Sequence, residues 1–123
     1  MAKDVFEMAR KAANRACPMM ITRYRHASVI LDRKGRVIAT GVNYYEGGIK
    51  TVHSEFHALH QVDVRKLDGA VIVNYARTGA HTILARPCER SCWPILRKLG
   101  FKKVIYTEPS PLAAPLWREE FFI

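Results

Sequence analysis

The sequence predicts an α/β protein, a three-layer α/β/α sandwich in which helices cover both faces of a mixed sheet of four or five strands. Three observations carry that prediction. A helical period over residues 3–17 precedes two runs of strand formers, 26–31 and 37–42, with a glycine-bearing turn between them. Both runs are apolar almost throughout, as strands covered on two faces are. Residues 70–107 then read strand, helix, strand, which implies a right-handed crossover into a parallel neighbour. A length of 123 residues with 49% hydrophobic content suits one domain, 1–123, with a single core.

Each element has a local reason. In the first helix Phe6, Ala9, Ala13 and Ala16 share one face, and Lys3, Arg10, Lys11 and Arg15 the other. That basic face reads either as solvated surface or as a phosphate or nucleic-acid contact. Pro18 closes the helix, and Cys17 within it reads as a small buried hydrophobe. Asp32-Arg33-Lys34-Gly35 turns the two strands into a hairpin, with Gly35 free to take positive φ. Asn43 is a turn former after the second strand. Tyr44 and Tyr45 read either as exposed loop residues or as walls on which a base stacks. Glu46-Gly47-Gly48 is a flexible turn. A second helix is expected from His53 to about Val62, with Phe56, Ala58 and Leu59 as its apolar surface.

Residues 70–75 form the third strand, and Thr78-Gly79 lies at a loop or hairpin tip before a short returning strand at 82–84. Arg86 precedes Pro87 and is held extended. The proline opens a third helix whose N–H groups and positive end would lower the pKa of nearby thiols. Trp93, Ile95, Leu96 and Leu99 form its stripe, Gly100 ends it, and 104–107 is the fourth strand. A proline-rich stretch from Glu108 ends the core. Residues 117–123 are expected as a final helix or tail packed on the sheet or on another subunit, since their bulky apolar side chains are costly to leave in water.

Two segments carry the chemistry: Thr51-Val52-His53-Ser54-Glu55-Phe56-His57 and Ala85-Arg86-Pro87-Cys88-Glu89-Arg90-Ser91-Cys92. The imidazole of His53 with the thiolates of Cys88 and Cys92 makes three ligands for Zn²⁺. The fourth position is left to water, as in catalytic rather than structural sites. Glu55, two residues after His53, is turned well away from it on an ideal helix. It reads as a proton-transfer group beside a ligand, not as a second ligand. His57 is a weaker candidate ligand, and His-Ser-Glu-Phe-His is not the His-Glu-x-x-His of metalloproteases.

His-x-Glu followed by Pro-Cys and a nearby Cys resembles the signature of the zinc-dependent cytidine/deoxycytidylate deaminase superfamily. The spacing departs from it: Cys88-Glu89-Arg90-Ser91-Cys92 stands where the family has Cys-x-x-Cys. Ser91 fills the usual place and is a poor zinc ligand; Cys92 is taken instead, since i and i+4 share a helix face. The resemblance implies a cytidine deaminase-like fold and a zinc-activated water attacking the amine-bearing ring carbon. It makes Glu55 the catalytic group that moves protons without binding zinc. It further implies that Asn43, in Gly41-Val42-Asn43, contacts the substrate sugar. The backbone around Ser54, where Ala is usual, would hold the base, and the Arg86 carbonyl would face the departing amino group. With Tyr44 these are the substrate-binding residues expected. The stretch 13–43 is more similar to the deoxycytidylate deaminases than to the nucleoside enzymes. A homo-oligomer is also implied.

Three functions follow. The first is hydrolytic deamination of a cytosine-containing nucleotide or nucleoside, dCMP-like, to its uracil form with release of ammonia. The second is deamination of cytosine or adenine within single-stranded DNA or RNA, which the longer cysteine gap and the charge favour. The third is a non-catalytic, zinc-stabilised binding module, which would lack a fourth protein ligand unless His57 serves. A net charge of +9, from 20 Lys+Arg against 11 Asp+Glu, suits a nucleotide phosphate or a nucleic acid. With 3 Cys, two of them in a cluster, the chain is not a disulfide scaffold. Thiols used for metal fit a reducing, cytoplasmic setting. The first residues show no apolar signal segment, and no run approaches the ~18 apolar residues that span a bilayer, so no membrane partner is expected.

Overall fold

The computed structural model describes residues 3–15, 24–46 and 50–122. In chain order the elements are α1 (Lys3–Arg15), β1 (Arg25–Leu31), β2 (Val37–Val42), β3 (Tyr44–Glu46), β4 (Lys50–Val52), α2 (Ser54–Leu59), a 3-10 turn (Val64–Lys66), β5 (Val71–Thr78), β6 (His81–Thr82), α3 (Cys92–Lys98), β7 (Lys103–Glu108), β8 (Ser110–Pro111) and β9 (Leu116–Phe121). Cys17, Pro18 and the Gly47-Gly48 pair lie outside the described residues, as do the side chains of Lys3, Tyr44 and Tyr45.

The long strands pair in the order β2-β1-β5-β7-β9, antiparallel except for β5 and β7. The parallel pair sets Val71 opposite Lys103 and Asn74 opposite Tyr106. Two short strands, β6 and β8, continue from β5, so the sheet has seven strands among the described residues rather than four or five. β3 and β4 form a separate ribbon. The β1–β2 turn is as expected, with Gly35 at φ 84°.

Alternation along the strands decides which helix covers which face. Ala27, Val29 and Leu31 of β1, with Val73 and Tyr75 of β5 and Ile105 of β7, meet Val5, Ala9, Ala12 and Ala13 of α1. The alanine stripe has no bulk to hold the helix off the sheet. Ile30, Ile72, Val104 and Tyr106 point the other way and bury Ala58 of α2 and Leu96 of α3. Leu96 is fully buried, a contribution of about 2–3 kcal/mol. The two layers of helix and the mixed sheet between them are the sandwich expected.

Among the elements that differ from expectation are the second helix and the C-terminal segment. The second helix stops at Leu59, not near Val62, because the chain tightens into i→i+3 bonds, Gln61 N–H to Ala58 and Val62 N–H to Leu59. Residues 116–121 are a strand, not a helix or tail. The open edge of β7 satisfies their backbone through a register running from Lys103–Phe121 to Glu108–Leu116. Trp117 then stacks on Phe6 at 4.5 Å on one face, and Phe122 on Trp93 at 4.4 Å on the other.

Candidate active site

Gly41 fixes where the site forms. A Cβ there would lie 2.4 Å from both Ala58 N and Ser54 O, so only glycine lets α2 rest directly on β2. His57 locks the same contact, its Nδ1 accepting the Val42 N–H at 2.9 Å. That bond makes His57 a structural residue, and it stands apart from the metal-type cluster described next.

His53 occupies the N-cap of α2 with extended backbone, φ −71° and ψ 149°, and makes no capping bond. Its ring turns instead toward α3, where Nδ1 lies 3.3 Å from Cys92 Sγ. His53, Glu55 and Cys92 bring their ligand-type atoms all within 4.8 Å of one another. Cys88 stands outside that trio. It is exposed, on the wall of the adjoining cavity, in the turn ahead of α3 rather than on the helix. The bond from Trp93 N–H to the Cys88 carbonyl reaches back five residues, not the four of an α-helix, and the helix begins only at Cys92. The i, i+4 geometry expected of the two cysteines is therefore not what joins them. Ser91 and the N–H groups of residues 90–92 hold the Cys88 thiol below its usual pKa. Burial, then the charge of Glu55, pushes the Cys92 thiol up to about 12.

The cavity, about 360 Å³, opens where β1 begins and β5 ends. Glu55 is buried at its inner end. Asn74 Nδ2 donates to Glu55 Oε2 at 3.0 Å and to the Ala85 carbonyl at 3.1 Å, while Asn74 Oδ1 accepts from Ser28 Oγ at 2.7 Å. Ser54 Oγ stands 2.7 Å from Ser28 Oγ and 3.3 Å from Glu55 Oε1, with one proton to give. That proton goes to Glu55 while the carboxyl is ionised. When Glu55 is protonated it goes to Ser28, and every member of the ring then donates once and accepts once. Burial raises the Glu55 pKa in the same direction.

The other expected residues divide. Asn43 is buried on the cavity wall, where its Oδ1 accepts the His26 N–H at 2.9 Å and pins the start of β1. Ser54 and Arg86 also line the cavity. The Arg86 guanidinium turns away, to Glu120 at 2.8 Å and over the Trp93 ring at 4.2 Å. Trp93 is thus a packing residue. The Tyr44 side chain lies outside the described residues. The sequence reading missed Asn74 and Ser28 as members of the site. Asn74 had left a signal, an amide inside an apolar strand, which needs buried partners.

The donor set fits zinc. Tetrahedral zinc holding one nitrogen and one sulfur sets them ~3.5 Å apart, and His53 and Cys92 are already near that separation. Cys88 supplies a further thiol on the same cavity.

The family profile described as the cytidine and deoxycytidylate deaminase zinc-binding region matches residues 1–108. No curated protein sequence matches the chain. Solved structures that share its fold include the following three. The cytidine deaminase from Burkholderia pseudomallei aligns over 99% of this chain and 94% of its own, with a TM-score of 0.65 at 15% identity. The dCMP deaminase from the cyanophage S-TIM5, in apo form, covers 88% of this chain and 86% of its own, with a TM-score of 0.61 at 18% identity. The cytidine deaminase from Mycobacterium tuberculosis covers 92% and 93%, with a TM-score of 0.57 at 20% identity. Taken with the buried carboxyl beside an imidazole and a thiol, the match over most of its length shows that this chain belongs to the zinc-binding cytidine and deoxycytidylate deaminase family of hydrolases.

Proposed function

We propose that the chain hydrolytically deaminates a cytosine-containing nucleotide or nucleoside, dCMP-like, giving the uracil form and ammonia. The observation that carries this is the placing of Glu55: buried on the wall of an open cavity, oriented by Asn74, and within 4.8 Å of the donor atoms of His53 and Cys92. In this reading His53, Cys88 and Cys92 hold zinc. When bound, zinc supplies Lewis-acid activation of water for attack on the ring carbon.

Glu55 takes the proton of the attacking water and delivers it to the ring nitrogen, then serves the departing amine. Asn74 holds one carboxyl oxygen and Ser54 Oγ reaches the other at 3.3 Å, which together orient the carboxyl for that transfer. Ser54 Oγ follows the proton, turning between Glu55 and Ser28. Asn43 meets the sugar, the backbone around Ser54 the base, the Arg86 carbonyl the leaving amine, and Tyr44 the base face. A cavity of about 360 Å³ suits a single nucleoside-sized ligand.

The polynucleotide reading has one observation in its favour. Tyr24 and Leu84 line the same cavity yet remain 52% and 54% exposed, surfaces on which a flanking base could stack. A non-catalytic module accounts for neither the family nor the buried carboxyl. The family resemblance supports a homo-oligomer, and the thiol-bearing site a cytoplasmic setting. No helix of the described residues is long and apolar enough to cross a membrane.

The test is uracil formation from dCMP, cytidine and single-stranded DNA in parallel, with Glu55→Ala beside the wild type. The wild type is expected to turn over a free cytosine nucleotide. Glu55→Ala should keep its zinc and lose turnover by about 10²–10⁴. Loss of metal in step with activity would mean that Glu55 has been misassigned. A zinc-loaded wild type inert on all three substrates would end the reading.

A further inference from the structure

Little of the positive charge on the described residues lines the cavity. Among the described residues the cavity wall carries one arginine or lysine, Arg86, and Glu120 and Glu89 already engage it at 2.8 and 2.9 Å. A second group of cations lies at the opposite end of the sheet. There the turn between β1 and β2 and the 3-10 turn at Val64–Lys66 enclose a groove of about 570 Å³. β1 runs from the cavity at His26 to that turn over seven residues, a distance of about 20 Å.

Five of the residues lining the groove are basic and two are acidic. Arg36 is held by Asp32 at 2.9 Å, and Arg65 by Asp63 at 2.7 Å. Arg33, Lys34 and Lys66 are exposed and have no ion-pair partner among the described residues. The Arg33 stem packs against Gly69, where a Cβ would be 3.0 Å from its Cγ and Cδ. Lys98 and Lys102 continue the positive surface past Gly100, whose carbonyl accepts the Gly69 N–H at 2.8 Å.

We infer that this groove docks the phosphate backbone of a single-stranded nucleic acid, independently of the base held in the cavity. Three features select that partner. Positive charge on a concave surface matches a line of phosphates. Among the described residues the groove offers Val37 and Ile38 as its only apolar lining and no aromatic side chain, so it lacks the anchors on which protein interfaces depend. Among the described residues its lining offers no amide, hydroxyl or aromatic group beside the charges, as suits positioning rather than sequence reading. Docking does not rest on the deaminase reading, since phosphates alone satisfy it.

Oligothymidylate is the probe, because it carries phosphates and no amine-bearing base. Its binding to the zinc-loaded chain is followed by fluorescence anisotropy across a salt series. Lys34→Gln/Lys66→Gln is expected to weaken binding and to lower the slope of log K against log salt by about 1.4, two phosphate contacts at about 0.7 each. Lys11→Gln/Arg15→Gln removes the same charge from α1 and should leave the slope unchanged. Neither pair lies in the cavity, so turnover of a free nucleotide should be equal in all three proteins. No binding by the wild type, or equal losses in both variants, would overturn the inference. Tighter binding of polyglutamate would overturn it in favour of an acidic protein. Displacement of the oligonucleotide by equimolar tripolyphosphate would overturn it in favour of a small polyphosphate.

Discussion

Replacing Glu120 by glutamine tests how the turn bearing Cys88 is held. Glu120 stands on β9, beyond the residues that the family profile matches, yet it grips Arg86, two residues before Cys88. Arg86 Nε donates to one of its carboxyl oxygens at 2.8 Å and Nη2 to the other at 3.4 Å, and the Tyr106 hydroxyl donates to it as well. The Arg86 and Glu120 side chains are 26% and 28% exposed. A charged hydrogen bond contributes about 1.5–3 kcal/mol when sheltered, and an exposed ion pair about 0–1. A pair one quarter exposed falls between, so Glu120→Gln should cost about 1–2 kcal/mol. The unfolding entropy of a chain this long converts that to a Tm lower by about 4–8 °C.

The pH dependence gives a second reading of the same pair. Arg86, then Tyr106, holds the Glu120 carboxyl below the usual glutamate range. A depressed carboxyl contributes stability that is fully present above its unfolded pKa, about 4.3, and is lost as pH falls through the folded value. The gap in Tm between wild type and Glu120→Gln should therefore be constant near neutrality and close below about pH 4. Thermal melts from pH 3 to 8 measure it. Equal Tm values at neutral pH, or a gap that widens in acid, would refute the account of this clamp.

Three further substitutions probe the site's frame. Gly41→Ala sets a Cβ 2.4 Å from the Ala58 and Ser54 backbones, so α2 must lift; we expect a loss of about 3 kcal/mol in denaturant unfolding together with weaker zinc binding. Asn74→Ala leaves Glu55, Ser28 and the Ala85 carbonyl without their shared partner, for a loss of about 2–3 kcal/mol by the same measurement. Cys92→Ser should abolish stoichiometric zinc, read by metal analysis of the purified protein, while Ser91→Ala should leave one zinc per chain. Retention of zinc by Cys92→Ser would show that the sulfur beside His53 is not a ligand.

What the sequence determined by itself was whatever rests on neighbours in the chain. The period of α1, the turn at Gly35 and the strand–helix–strand order that makes β5 and β7 parallel are all local patterns. The union of His53 with Cys92 was legible too, because a metal-ligand pattern names its members without the fold. Only the tertiary structure decided the rest. Asn74 in an apolar strand announced a buried partner but not that the partner would be Glu55, which approaches from an element packed across the sheet face. Residues 116–121 became a strand because β7 had an open edge to pair with, which the residues themselves do not reveal. Cys88 sits in a turn and not on a helix, its carbonyl taken by the Trp93 N–H five residues on rather than by an i+4 partner. The sequence gives the charge only as a sum, and the sum favoured a phosphate at the active site. The fold decides where it lies: among the described residues Arg86 is the one arginine or lysine on the cavity wall, while Arg33, Lys34 and Lys66 line a groove at the other end of the sheet.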